Sequence, residues 1–353
     1  MSAFGRLPGA VGAPPEHYGN PLAEQRLLTR GEAVVDLSDR GVVTVTGPDR
    51  LGWLDSLTSQ SLAGLAPGES AETLQLSPTG RIEFAIRVID DGETAWLLVD
   101  GAEAAPLAAW LSSMRFMMRV EVAQASARWA TIGALGEVPL SAAAPHGVPL
   151  VWVDPWARVQ PGGWSYAGAA HPGQDWRYRE LLVERERLDD FAALPAAGTL
   201  ALEALRIAAA RPRAATEADE TAIPHETDWL RSAVHLAKGC YRGQETVAKV
   251  HNLGHPPRRL ALLHLDGSEG VLPAAGAAVR AGDAPAGRVT ASARHHELGP
   301  IALALLGRRT AESATLIVEG PGGERIAAAQ QVVVPASAGA TAEVPRMPRL
   351  GAR

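Results

Sequence analysis

Sulfur is nearly absent from the sequence. Cys240 is the only cysteine in 353 residues, so no intrachain disulfide can form and nothing indicates an oxidising compartment. Phe and Tyr occur only four times each, which leaves the nine tryptophans as the main aromatic mass. No apolar run approaches the roughly 20 residues that a membrane span needs. The opening "MSAFGRLPGAVGAPPEHYGN" has no apolar core of signal-peptide type. Positive charge is not in excess either. The net charge is −6, which argues against a general nucleic-acid binder. There is no G-x-S-x-G, and His225, His235, His251 and His255 fit no standard zinc spacing, so neither a serine hydrolase nor a metal site is expected. These absences predict a soluble cytoplasmic protein that touches neither membrane nor nucleic acid.

What remains is an ordinary globular composition, 46% apolar and 20% charged, in a chain too long for one core. Residues 1–29 are rich in Gly and Pro and predict an irregular arm. Residues 30–122 read as a first α+β domain. "GVVTVTG" alternates Val43 and Val45 with threonines, a strand pattern, and Pro48 then opens a helix carrying Leu51, Leu54 and Leu57. "LSPTGRIEFAIRVID" is a hairpin turning at Pro78 and Gly80, with "TAWLLVD" as the next strand. Asp100 and Glu103 have capping-box spacing ahead of a helix with the stripe Leu107, Leu111, Met114 and Met118, which reads as core.

Residues 123–257 form a second α+β domain with short strands in "RWATIGAL", "VPLVWVD", "GWSYAGA" and "RELLVER", then helices in "RLDDFAAL" and "TLALEALRIAAA". Residues 258–335 carry short strands with Gly-rich turns and predict a small β-barrel. Residues 336–353 are Ala- and Pro-rich and predict a disordered tail.

One segment reverses the charge of the whole. Between Arg231 and Arg259 stand six basic residues and one acid, Glu245. Within it, "LAKGCYRGQETVAKV" places Cys240 between Lys238 and Arg242, and nearby cations favour thiolate over thiol. Gly239 and Gly243 permit close backbone approach, Tyr241 offers a stacking face, and Gln244 and Glu245 lead into a helix. From these residues alone, two readings of Cys240 stay open: a buried, inert small hydrophobe or a reactive thiol.

"KGCYRGQE", Lys238 to Glu245, resembles the K-G-C-Y-x-G-Q-E signature of the YgfZ family, folate-binding-fold relatives of the glycine-cleavage T protein. "DLSDRGVVTVTGPDRLGWLDSLTSQ", "ALRIAAARP" and "TAIPHE" extend the likeness over about residues 30 to 335. The resemblance implies a T-protein-like folate-binding fold: two α+β domains with antiparallel sheets and a C-terminal β-barrel around a central cavity. It further implies a tetrahydrofolate or derivative as cofactor, with Arg40, Leu202 and Arg206 contacting it. The implied role is iron–sulfur cluster assembly or repair as a monomer, supporting iron–sulfur clients that include tRNA-modifying enzymes. Cys240 would be the working thiol and Lys238 its activator, with the neighbouring loop residues shaping the pocket.

The departures matter as much. T-protein enzymes carry paired acids in the hairpin, and here Phe84 and Ala85 stand at those places. A phenyl ring cannot move a proton, and Glu83 points to the opposite strand face from Phe84. T-protein aminomethyl transfer is therefore not expected, and a folate-dependent one-carbon transferase or demethylase remains as the alternative. Ala208 and Ala210 replace the family's Glu and Gly, while Arg206 is kept, for a folate carboxylate or carbonyl or for a salt bridge.

Overall fold

The computed structural model describes residues 2–168, 170–268 and 270–342. The arm is more ordered than its composition predicts. Asn20 caps helix α1 (Pro21–Thr29), its side chain accepting from the Ala23 N–H at 3.1 Å. The buried Glu24 carboxylate then accepts from the backbone N–H groups of Tyr18, Asn20 and Gly198, tying the arm to the second domain. Composition could not show this, because the bond to Gly198 is a long-range one.

Strand β1 (Val34–Asp36) precedes β2 (Gly41–Thr46), helix α2 (Arg50–Leu57), β3 (Ser70–Leu76), β4 (Ile82–Asp90), β5 (Thr94–Val99), helix α3 (Ala104–Ser113) and β6 (Glu121–Gln124). The last five strands of this run form an antiparallel sheet, order β3-β4-β5-β2-β6. Val43, Val45, Ile86 and Val88 pack under α2 and α3 with Leu54, Leu107 and Leu111. Val42, Leu74 and Leu98 serve the other face, which meets the second domain. The methionine stripe is cut short. α3 ends at Ser113, Met114 is 39% exposed, and Met118 lies in the turn leading back to β6.

The second sheet has the order β10-β1-β7-β9-β8, built from β7 (Trp129–Ala134), β8 (Val151–Val153), β9 (Arg179–Glu184) and, after helix α4 (Leu188–Ala192), the short β10 (Ala196–Ala197). β1 sits in this sheet, paired with β7 and β10, so residues 34–36 belong to the second domain and not to the first. A three-residue strand buried on all positions carries no alternation to reveal its partner. Residues 163–168 form no strand. Their N–H groups reach the 228–231 segment instead, Trp164 to the Leu230 carbonyl and Tyr166 to the Asp228 carboxylate.

Helix α5 (Thr199–Ala208) follows, then α6 (Ala214–Glu217) and α7 (Gln244–Leu253). α5 is apolar on two sides because it is packed on two sides. Ala201, Leu202 and Leu205 face the inter-sheet core, while Ala204 and Ile207 face the barrel. The barrel is closed, in the order β11-β14-β13-β12-β15-β16. Its strands are β11 (Arg258–Leu265), β12 (Ala278–Ala281), β13 (Ala284–His295), β14 (Gly299–Gly307), β15 (Leu316–Glu319) and β16 (Arg325–Val332).

Part of the predicted disordered tail is packed. The N–H groups of Thr341 and Ala342 donate to the carbonyls of His251 and Asn252, satisfying the end of α7, and Ala338 is buried. The rest of that tail, 343–353, lies outside the described residues.

Candidate functional site

A cavity lies among the two sheets, α5 and the 211–214 segment. Its volume is about 50 Å³, and it opens to solvent on one side. Arg40, Leu202 and Arg206, the three residues assigned to a ligand from the sequence, all line it.

Charge inside is dense and mostly paired. Arg206, one turn along α5 from Leu202, gives Nε and Nη2 to Glu203 at 2.8 and 2.6 Å. Its Nη1 donates to Glu217 at 2.9 Å. Burial opposes its charge, and the carboxylates of Glu203 and Glu217 outweigh that opposition and raise its pKa. Arg211 donates to Asp154 at 2.9 Å and to Glu72 at 2.6 Å. Glu72 also accepts from Trp229 Nε1 at 3.0 Å and Ser232 Oγ at 2.7 Å, and Trp176 Nε1 donates to Asp154 at 2.8 Å. Arg40 pairs with the fully buried Glu180, which also accepts from the Tyr178 hydroxyl at 2.9 Å. Asp100 accepts from Arg213 Nε at 3.2 Å. Burial pushes the Asp100 pKa up, but Arg87, Arg213 and Arg40 overcome it and hold the group below the usual carboxylate range. Glu103 moves the other way, raised by burial and by the Asp100 charge.

Arg87, Arg211, Arg213, Glu72 and Asp154 escaped the sequence reading. Only Arg211 had a local signal, in "ARP" just beyond the matched Arg206.

The hairpin separates the two residues at the acids' places, whereas the sequence reading turns the Phe84 face to the ligand. Ala85 and Arg87 face the cavity, and Phe84 packs on the opposite side against the α2–α3 core. Neither Phe84 nor Ala85 offers a carboxylate. At the end of α5, Ala210 holds a left-handed φ of 48°, the conformation a glycine takes without strain.

The cysteine loop is a separate feature. Residues 238–245 line no part of the cavity, which corrects the expectation that Tyr241, Gly239 and Gly243 shape it. Cys240 is exposed, so it is no core filler. Lys238 is not an activator poised at the thiol. Its ammonium donates to the carbonyls of Asp55, Thr58 and Gln60 and lies 3.3 Å from Asp55 Oδ1, using all its hydrogens at the end of α2. Burial lowers its pKa. Tyr241 is buried in the inter-sheet core with its ring 5.5 Å from that ammonium. Gln244 Nε2 donates back to the Lys238 carbonyl at 3.2 Å and closes the loop. Glu245 is exposed in the first turn of α7, where a carboxylate favours the helix dipole. Gly239 has open space around it. Gly243, at φ 85°, presses on the hairpin turn. The hairpin thus touches the loop with its turn and the cavity with its strand.

The architecture can now be compared with known proteins. It superimposes on the glycine cleavage system aminomethyltransferase T of Bartonella henselae with a TM-score of 0.72, at 17% identity, over 94% of this chain and 96% of that one. The fold is that of the T protein. By sequence, the chain is 24% identical over 222 residues to an aminomethyltransferase of Chromobacterium violaceum, covering 60% of this chain and 61% of the relative. It is also 24% identical over 260 residues to a chloroplastic protein of Arabidopsis thaliana described as a transferase, covering 71% of this chain and 60% of the relative. The chain thus matches about three fifths of the length of these curated relatives. No family model matches it.

Among the described residues no cluster of His, Cys, Asp or Glu could hold a metal ion, and no helix is long and apolar enough to cross a membrane.

Proposed function

We propose that this protein binds a reduced folate in the central cavity and acts, through the Cys240 thiol, in assembly or repair of iron–sulfur clusters. Its clients would be iron–sulfur enzymes, tRNA-modifying ones among them. The observation that carries the reading is the hairpin face. Of Phe84 and Ala85, which by the resemblance stand where a T-protein carries its acids, only Ala85 lines the cavity, beside Arg87, so that pair brings no carboxylate to it.

The lining suits a folate chemically. Trp176, Tyr178 and Trp229 give flat walls for a heteroaromatic ring, and guanidiniums match carbonyl and carboxylate oxygens. Arg87, which lines the cavity, keeps a buried Nη1 without a partner, a donor that a polar ligand could satisfy. A bound folate would supply a reduced ring able to carry one carbon. Arg40, Arg206 and Leu202 would hold it. A single cysteine cannot retain a cluster, so the cluster would remain on a client or assembly protein while Cys240 meets it from outside.

Two measurements test the reading. Tetrahydrofolate should raise the melting temperature of the pure protein, since a ligand that binds only the native state stabilises it. Cys240→Ala should fold and bind folate normally yet fail to restore iron–sulfur enzyme activity in cells lacking the protein. Full restoration by that variant removes the thiol from the function.

A second reading, a folate-dependent one-carbon transferase or demethylase, draws on Asp100 and Glu103, carboxylates that do line the cavity. Conversion of tetrahydrofolate to a methylene or formyl form by pure protein would decide for it.

A further inference from the structure

The guanidiniums lining the cavity are not equivalent. Every guanidinium nitrogen of Arg206 and Arg211 has a carboxylate or carbonyl partner, and Arg40 and Arg213 each hold one carboxylate. Arg87 is different. Among the cavity-lining arginines it alone has a buried N–H with no acceptor, at Nη1. Its Nε lies 3.4 Å from Glu180 Oε1, an oxygen already shared by Arg40 and Tyr178. Its guanidinium carbon sits 5.8 Å from the Trp152 ring centre, which limits where the group can turn. Two residues back on the same strand face, the small Ala85 side chain also lines the cavity.

A buried donor without an acceptor is costly, and an acceptor that enters the cavity removes that cost. We infer that Arg87 is the anchor of the cavity's ligand and takes one of its acceptor oxygens, a ring carbonyl or a carboxylate. The inference rests on the folate reading above and adds to it the residue that fixes the ligand. A ligand that parts the loose Arg87–Glu180 contact gives Nη1 the partner it lacks, and Glu180 keeps Arg40. Charge-assisted, planar bonding of this kind is what an arginine supplies and a lysine does not.

Calorimetry on the full chain tests it, with tetrahydrofolate and with tetrahydropterin, which lacks the glutamate carboxylates. Arg87→Met keeps the side-chain bulk and removes the donor. It should weaken tetrahydrofolate about 10- to 100-fold. Should that variant fail to fold, Arg87→Lys keeps the charge without the fork and should still weaken binding about tenfold. An equal loss with tetrahydropterin identifies a ring carbonyl as the acceptor, and a loss confined to tetrahydrofolate identifies a carboxylate. Undiminished tetrahydrofolate binding by the folded variant overturns the anchor alone. Absence of heat with the native protein overturns the folate reading and the anchor with it.

Discussion

Gly243 and Gly80 lie back to back. A β-carbon built on Gly243 would stand 3.0 Å from the Gly80 Cα and 2.7 Å from the Ser77 carbonyl oxygen. One built on Gly80 would stand 2.7 Å from Thr246 Cβ. The second glycine of the cysteine loop is therefore a packing requirement of the hairpin turn.

Gly243→Ala should destabilise the protein by about 1–3 kcal/mol, combining a side chain at positive φ with a backbone clash. Denaturant titration checks this. Gly239→Ala, with open space around it, should change stability by less than about 0.5 kcal/mol and serves as the control.

Arg211→Met leaves the buried carboxylates of Glu72 and Asp154 without their shared cation. Breaking a buried pair from one side costs about 3–5 kcal/mol. A loss under about 1 kcal/mol would mean that the tryptophan and serine donors suffice for both carboxylates.

Lys238→Met removes the donors for three carbonyls at the end of α2. Stability should fall by about 1–3 kcal/mol. The pH profile of Cys240 alkylation should stay where it was, whereas a lysine that activates the thiol would move it when removed.

His225 and His171 are buried, and burial lowers their pKa values to about 4 and about 3. Each binds its proton more readily in the unfolded chain, so their contribution to stability is full above pH about 6.5 and is lost as pH falls toward their folded values. Asp228, raised to about 6 chiefly by burial, acts the opposite way, adding stability as pH falls from about 6 toward 4. His225→Gln keeps a donor for the Val247 carbonyl and removes one of these protons. Between pH 6 and 4.5 it should flatten the fall in unfolding free energy by up to about 1.4 kcal/mol per pH unit. An unchanged slope would show that His225 is protonated in the native state.

Much of the architecture was legible in the sequence. The alternation in "GVVTVTG" and "IEFAIRV", the capping box at Asp100 and the strand-and-turn rhythm after His255 each encode a local conformation. Alternation also showed that Phe84 and its strand neighbours point to opposite faces, but the fold decided that the cavity lies on the Ala85 face. The glycine-flanked motif around Cys240 was visible too, though its exposure was not.

Tertiary structure decided the rest. Arg211 meets Glu72 across 139 positions, and Arg40 meets Glu180 across 140. No window of sequence contains both members of such a pair. Lys238 is the sharpest case. Its neighbours in sequence suggested a thiol partner, while the fold brings the end of α2, some 180 residues away, within reach of its ammonium. Local pattern fixes backbone conformation through nearby sterics and burial. Which charges meet, and hence which remain free for a ligand, depends on how the finished elements close on one another.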